Sequence, residues 1–166
     1  MYDGQLPMFA PPGWQDVGAE VAARMKRLGE AVAADLELGI HVCYDDWEAR
    51  HFVEPKDMRK MVELANLIAG AISHPLAYIH MPVPVERSDG AFFAPLRELK
   101  LGPKTELILG LVHNDDVDAT KRRIAAAQKN MPTFGIATEC GIARQRRPEL
   151  AKSLIQIHAG VRRMPA

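Results

Sequence analysis

Four apolar runs rich in β-forming residues recur along this chain, at Leu38–Tyr44, Leu76–Met81, Glu106–Val112 and Thr133–Thr138. Each is followed by a segment with helical periodicity or helix-start signals, and that alternation leaves few architectures open. Strands separated by helices argue for a parallel sheet joined by right-handed crossovers. Ahead of the first strand, Val17, Val21, Met25, Leu28, Val32 and Leu36 recur at three- and four-residue steps, which predicts an amphipathic helix over Trp14–Glu37. Met58, Met61, Val62, Ala65, Leu67 and Ile68 form the stripe of a second helix, with Pro55 in its first turn. A short helix over Phe92–Leu99, one capped by Asp115 or Asp116 and running to Gln128, and a last one from Pro148 to His158 complete the set. The expected fold is α/β: an N-terminal helix, then four β–α units. Four such units are half of an eight-stranded (β/α)8 barrel.

The length of 166 residues suits one domain, over residues 14–166, and the prolines of residues 1–13 read as an irregular arm. A formal net charge of zero argues against a general nucleic-acid or membrane-surface binder. No apolar run approaches the roughly 20 residues that span a bilayer. The first residues lack a basic, then apolar, secretory pattern, and two cysteines suit a reducing compartment, so a cytoplasmic location is expected.

In parallel α/β folds, ligands and catalysis sit at the carboxyl ends of the strands. The first strand ends in His41 and Cys43, the second in His80, the third in His113, the fourth in Glu139 and Cys140. On a strand, residues i and i+2 share a face, so His41 and Cys43 project side by side. An imidazole and a thiol make half of a zinc site, and Cys140 supplies the one further thiol. The plainer alternatives are buried core residues or a Cys43–Cys140 disulfide.

The ordered set carries a resemblance. Gly39-Ile40-His41-Val42-Cys43-Tyr44 resembles the metal strand of the cobalamin-independent methionine synthase-like family, within the uroporphyrinogen decarboxylase/methionine synthase-like barrel superfamily. Ile79-His80-Met81-Pro82-Val83-Pro84 with Arg87 and Asp89 is similar to a block of the family's short members. Leu109–His113 is similar to its proton-donor strand, and Phe134–Gly141 to its last zinc segment. The likeness covers about residues 35–160, the carboxyl-terminal half of the family's barrel. It implies a Zn²⁺ site on His41, Cys43 and Cys140, with His113 as general acid. The implied reaction is methyl or alkyl transfer to a thiol, such as from 5-methyltetrahydrofolate to homocysteine. Asp46, Arg87, Asp89 and Glu139 are the candidate substrate contacts.

Two positions depart from the pattern. Pro82 stands where a ligand glutamate is expected, with Glu86 and Glu139 as the nearby acids, and Asp45 replaces a glycine after Cys-Tyr. A half barrel leaves two sheet edges and one face open. The expected remedies are self-association, a complementing half-barrel chain, or closure of the sheet on itself under the first helix. A non-catalytic binding or assembly module is the alternative function.

Overall fold

The computed structural model describes residues 13, 15–44, 46–47, 50–51, 54–140, 142 and 147–162, with side chains at all of these but 46, 47, 50, 51 and 162. Helix α1 (Val17–Glu30) precedes strand β1 (Leu38–His41). Two very short strands, β2 (Asp46–Trp47) and β3 (Arg50–His51), pair antiparallel in the following loop. Then come α2 (Arg59–Ala71), β4 (Leu76–Pro82), α3 (Gly90–Phe93) running into a 3₁₀ turn at Ala94–Glu98, β5 (Glu106–Val112), α4 (Val117–Gln128), β6 (Gly135–Thr138) and α5 (Pro148–Arg162). The four longer strands form one parallel sheet in the order β1-β4-β5-β6. The α/β class and the four-stranded parallel sheet expected from the alternation are present.

The strand order follows the chain without reversal, so crossovers of one hand put the helices on a single face. The core agrees. Ile40, Ile79, Met81, Leu107, Leu109 and Leu111 are buried against α2, α3 and α4 residues such as Met61, Ala65, Phe92, Phe93 and Ala127. The alternate strand positions are different in kind: His41, Tyr78 and Glu106 are exposed, and His80 and Ile108 half-buried. Glu106 and Ile108 interrupt the two-faced burial expected for the third strand. No described helix is long and apolar enough to cross a membrane.

Several boundaries differ from the sequence reading: β6 begins at Gly135 rather than Thr133, and α5 runs on to Arg162. Helix α1 stops at Glu30, and Leu28 and Leu36 of its supposed stripe are exposed. Its buried face is Gly18, Ala22 and Gly29, small residues that allow a close approach; a Cβ on Gly29 would lie 2.8 Å from Ile72 Cγ2. Helix α2 begins four residues after Pro55, at Arg59. Cys43 lies just past the end of β1.

The capping expected at the fourth helix is present, with Asp116 accepting from the Ala119 amide. This fixes where the chain leaves β5 and begins its return.

Candidate metal centre

Buried Val42 anchors the end of β1, and its amide donates to the His80 carbonyl at 3.1 Å. That extra step of pairing carries the alternation beyond the strand, so Cys43 stays on the side of His41. Cys140 follows β6 by two residues. The ligand atoms of His41, Cys43 and Cys140 all lie within 4.8 Å of one another, and among the described residues these form the sole such group of three or more. Sulfurs bound at about 2.3 Å to a tetrahedral ion stand roughly 3.8 Å apart, so at most a contraction of about 1 Å seats a cation. His41 is exposed, both cysteines are half-buried, and neither is in a disulfide. Two thiols and an imidazole, reachable from solvent, fit a soft or borderline divalent ion and leave one coordination position open.

Gly110, on β5 between β4 and β6, makes this convergence possible. A Cβ there would lie 3.0 Å from Glu139 Cα, 3.0 Å from the Thr138 oxygen and 3.1 Å from His80 Nε2. Two of these neighbours are backbone, so Gly110→Ala displaces the end of β6 and with it Cys140. A metal-affinity loss of about tenfold or more is expected, measured by competition with a chromophoric chelator.

His80 faces His41 across the parallel register. Their Nδ1 atoms are 2.8 Å apart and the rings stack at 4.9 Å. His80 Nε2 is buried without a hydrogen-bond partner. Burial, then the charge of His41, pushes the His80 pKa down to about 4; the Thr138 carbonyl opposes this without a well-formed bond. Burial also lowers His41. Both rings are therefore neutral near pH 7.

The sign for stability follows. The unfolded chain takes up a proton at His80 near pH 6.5, whereas the native state resists until about pH 4. The His80 contribution to the stability of the metal-free protein is therefore fully present above pH 6.5 and is lost as pH falls towards 4. The His80 contribution is at most about 3 kcal/mol, reduced because the ring is partly solvated. Urea midpoints at pH 7.5, 6 and 5 measure it, and His80→Gln flattens the slope.

His113 is buried at the end of β5, and Nε2 donates to the Val83 carbonyl at 2.7 Å. Its Nδ1 stands 3.4 Å from Glu139 Oε2. Burial lowers the His113 pKa, with Glu139 the main opposing influence. Since Nε2 already carries its hydrogen, any further proton enters between Nδ1 and the carboxylate. This neighbour of His113 is a geometric fact that the chain order did not reveal.

The remaining candidates are engaged locally or lie elsewhere. Asp89 caps α3 by accepting from the Phe92 amide at 2.8 Å. Arg87 stands 3.7 Å from Asp89, donates to the Pro55 carbonyl and lies over the Phe92 ring. Pro82 is buried within β4 and Glu86 is exposed, so neither supplies a carboxylate to the His–Cys–Cys group. Asp45 and the side chain of Asp46 lie outside the described residues.

Sequence reasoning passed over Arg123. Only 2% exposed, it donates through Nε to the Leu111 carbonyl at 2.8 Å and through Nη1 to the Val85 carbonyl at 2.9 Å. Nη2 holds both oxygens of Asp115 at 3.0 and 2.7 Å. One guanidinium thus ties together the segments after β4 and β5 on either side of His113.

Fold and site together define an α/β protein with a three-donor group, able to hold a metal ion, at the carboxyl edge of a parallel sheet. Comparison with family models, curated proteins and solved structures finds no match to the chain.

Proposed function

We propose that this chain is a zinc-dependent methyl- or alkyl-transferase acting on a thiol, or the metal-bearing half of one. The supporting observation is the convergence of His41, Cys43 and Cys140 from the ends of two strands far apart in the sequence. The resemblance of the same segments to the cobalamin-independent methionine synthase-like family supplies the reaction class.

Bound zinc would supply one thing: it keeps a substrate thiol deprotonated at neutral pH, and only the thiolate attacks well. The chain's own residues do the rest. Attack of the substrate sulfur on the methyl carbon forms the S–C bond, and the bond from that carbon to the donor breaks with its electron pair. A folate amine leaves poorly without a proton. In this reading His113 holds that proton at Nδ1, and the supporting observation is the Glu139 carboxylate 3.4 Å away. Burial lowers its pKa on balance, with Glu139 the main influence opposing that, so the proton on His113 would have to be stabilised further by the bound substrate.

The sheet reads as the second half of a (β/α)8 barrel: sequential strand order, buried helix face, and a face bearing exposed His41, Tyr78 and Glu106. In this reading a second copy, or a chain carrying four more β–α units, completes the barrel and provides the donor pocket in the cytoplasm. The missing carboxylate at Pro82 favours the second reading, a metal-binding but non-catalytic module.

The test is transfer of a labelled methyl group from 5-methyltetrahydrofolate or a simple alkyl donor to homocysteine by the zinc-loaded chain, with sedimentation analysis of its assembly. Transfer lost in Cys140→Ser and slowed in His113→Gln supports the transferase. Stoichiometric zinc with no transfer to any thiol, in any assembly, leaves the binding module.

A further inference from the structure

We infer that His80 is a positioning residue that holds His41 in the tautomer able to bind a metal. The inference rests on the metal reading of the His–Cys–Cys group and deepens it. An Nδ1–Nδ1 separation of 2.8 Å requires one proton between two otherwise facing lone pairs. Two arrangements satisfy it. If His80 donates, a neutral His41 must carry its own hydrogen on Nε2 and has no lone pair left for a cation. If His41 donates, its Nε2 lone pair is free, and His80 carries its hydrogen on Nε2.

The surroundings of His80 choose between them. The position a Cβ on Gly110 would take is 3.1 Å from His80 Nε2 and 3.0 Å from the Thr138 carbonyl oxygen. That oxygen can only accept. The same carbonyl acts on the His80 ring as a backbone acceptor, so a hydrogen on Nε2 is favoured there and a lone pair is repelled. His80 Nε2 is buried, so water does not offset the difference. The order is therefore set from the inside outwards: hydrogen on His80 Nε2, lone pair on His80 Nδ1, hydrogen on His41 Nδ1, lone pair on His41 Nε2. A ligand histidine whose second nitrogen donates to a fixed acceptor is oriented and made more basic. Here the acceptor is a second imidazole rather than the usual carboxylate or carbonyl.

Long-range proton–nitrogen correlation spectra of the metal-free, nitrogen-15-labelled protein at pH 7.5 read the tautomers directly. The expected result is His41 protonated on Nδ1 and His80 on Nε2. The opposite pattern, or His41 free to exchange both tautomers, overturns the inference whether or not the chain binds metal. Zinc competition titrations give the second readout. His80→Leu should weaken zinc binding about 10- to 100-fold, and His80→Gln, whose side-chain oxygen can accept from His41, should recover most of the loss. Wild-type affinity in His80→Leu overturns the inference. If the wild-type chain itself takes up no zinc, the metal reading fails, and the spectra still decide the pairing.

Discussion

Cys140→Ser is expected to remove metal binding while leaving the fold in place. Dialysed wild-type protein should carry close to one zinc per chain, and the variant almost none. The affinity difference should exceed about 100-fold, above the usual cost of losing an outer-shell partner. A serine hydroxyl is not deprotonated in the way a thiol is when it meets zinc, and the surviving pair, His41 and Cys43, come from one strand end and close only half a tetrahedron. Cys140 is half-buried just beyond β6, so the metal-free variant should unfold within about 1 kcal/mol of the metal-free wild type. The contrast appears on adding zinc. A ligand that binds the native state alone stabilises it by about 4 kcal/mol at a thousand times its dissociation constant. Zinc should therefore raise the melting temperature of the wild type and leave Cys140→Ser and Cys43→Ser unmoved. Metal analysis and calorimetry check both halves, and equal zinc in Cys140→Ser and wild type removes the site.

The parts of this site that were legible in the sequence are those that depend on chain order. β-rich runs end in His41 and Cys43, in His80, in His113 and in Glu139-Cys140, and a parallel sheet puts such ends on one edge. What depends on register was not legible. That His80 meets His41 follows from which residues of β1 and β4 pair, and a slip of one residue would turn either ring to the opposite face. The extent of α1 departs from the periodic stripe because only part of that stripe makes contact: Met25 packs against the core and Val17 and Val21 are half-buried, whereas Leu28 and Leu36 are exposed. Gly18, Ala22 and Gly29, which carry little hydrophobic signal, lie buried there. Gly110 gave no signal either, since its role is to leave room for residues distant in sequence.

Arg123 was hidden for another reason. In Lys121-Arg122-Arg123 it reads as one of three solvated charges on a helix, yet only this one turns inwards. Arg123→Met is expected to cost about 3–5 kcal/mol, because the methionine keeps much of the stem but strands the Leu111 and Val85 carbonyls and the Asp115 carboxylate. Arg123→Lys should recover only part of this. A single ammonium cannot reach three acceptors that lie in the directions set by a planar guanidinium. Asp115 is partly exposed, so Asp115→Asn should cost less than either. Urea unfolding of the metal-free chain orders the three variants, and a loss below about 1 kcal/mol for Arg123→Met would show that the network contributes little. The effect on the site separates two functions of the strand ends. The His–Cys–Cys group stands at the ends of β1 and β6, so folded Arg123→Lys should keep the zinc uptake of the wild type. His113, by contrast, donates to Val83, two residues from the Val85 carbonyl that Arg123 holds. On the proposed transferase reading, loosening that segment should reduce methyl transfer before it reduces metal content.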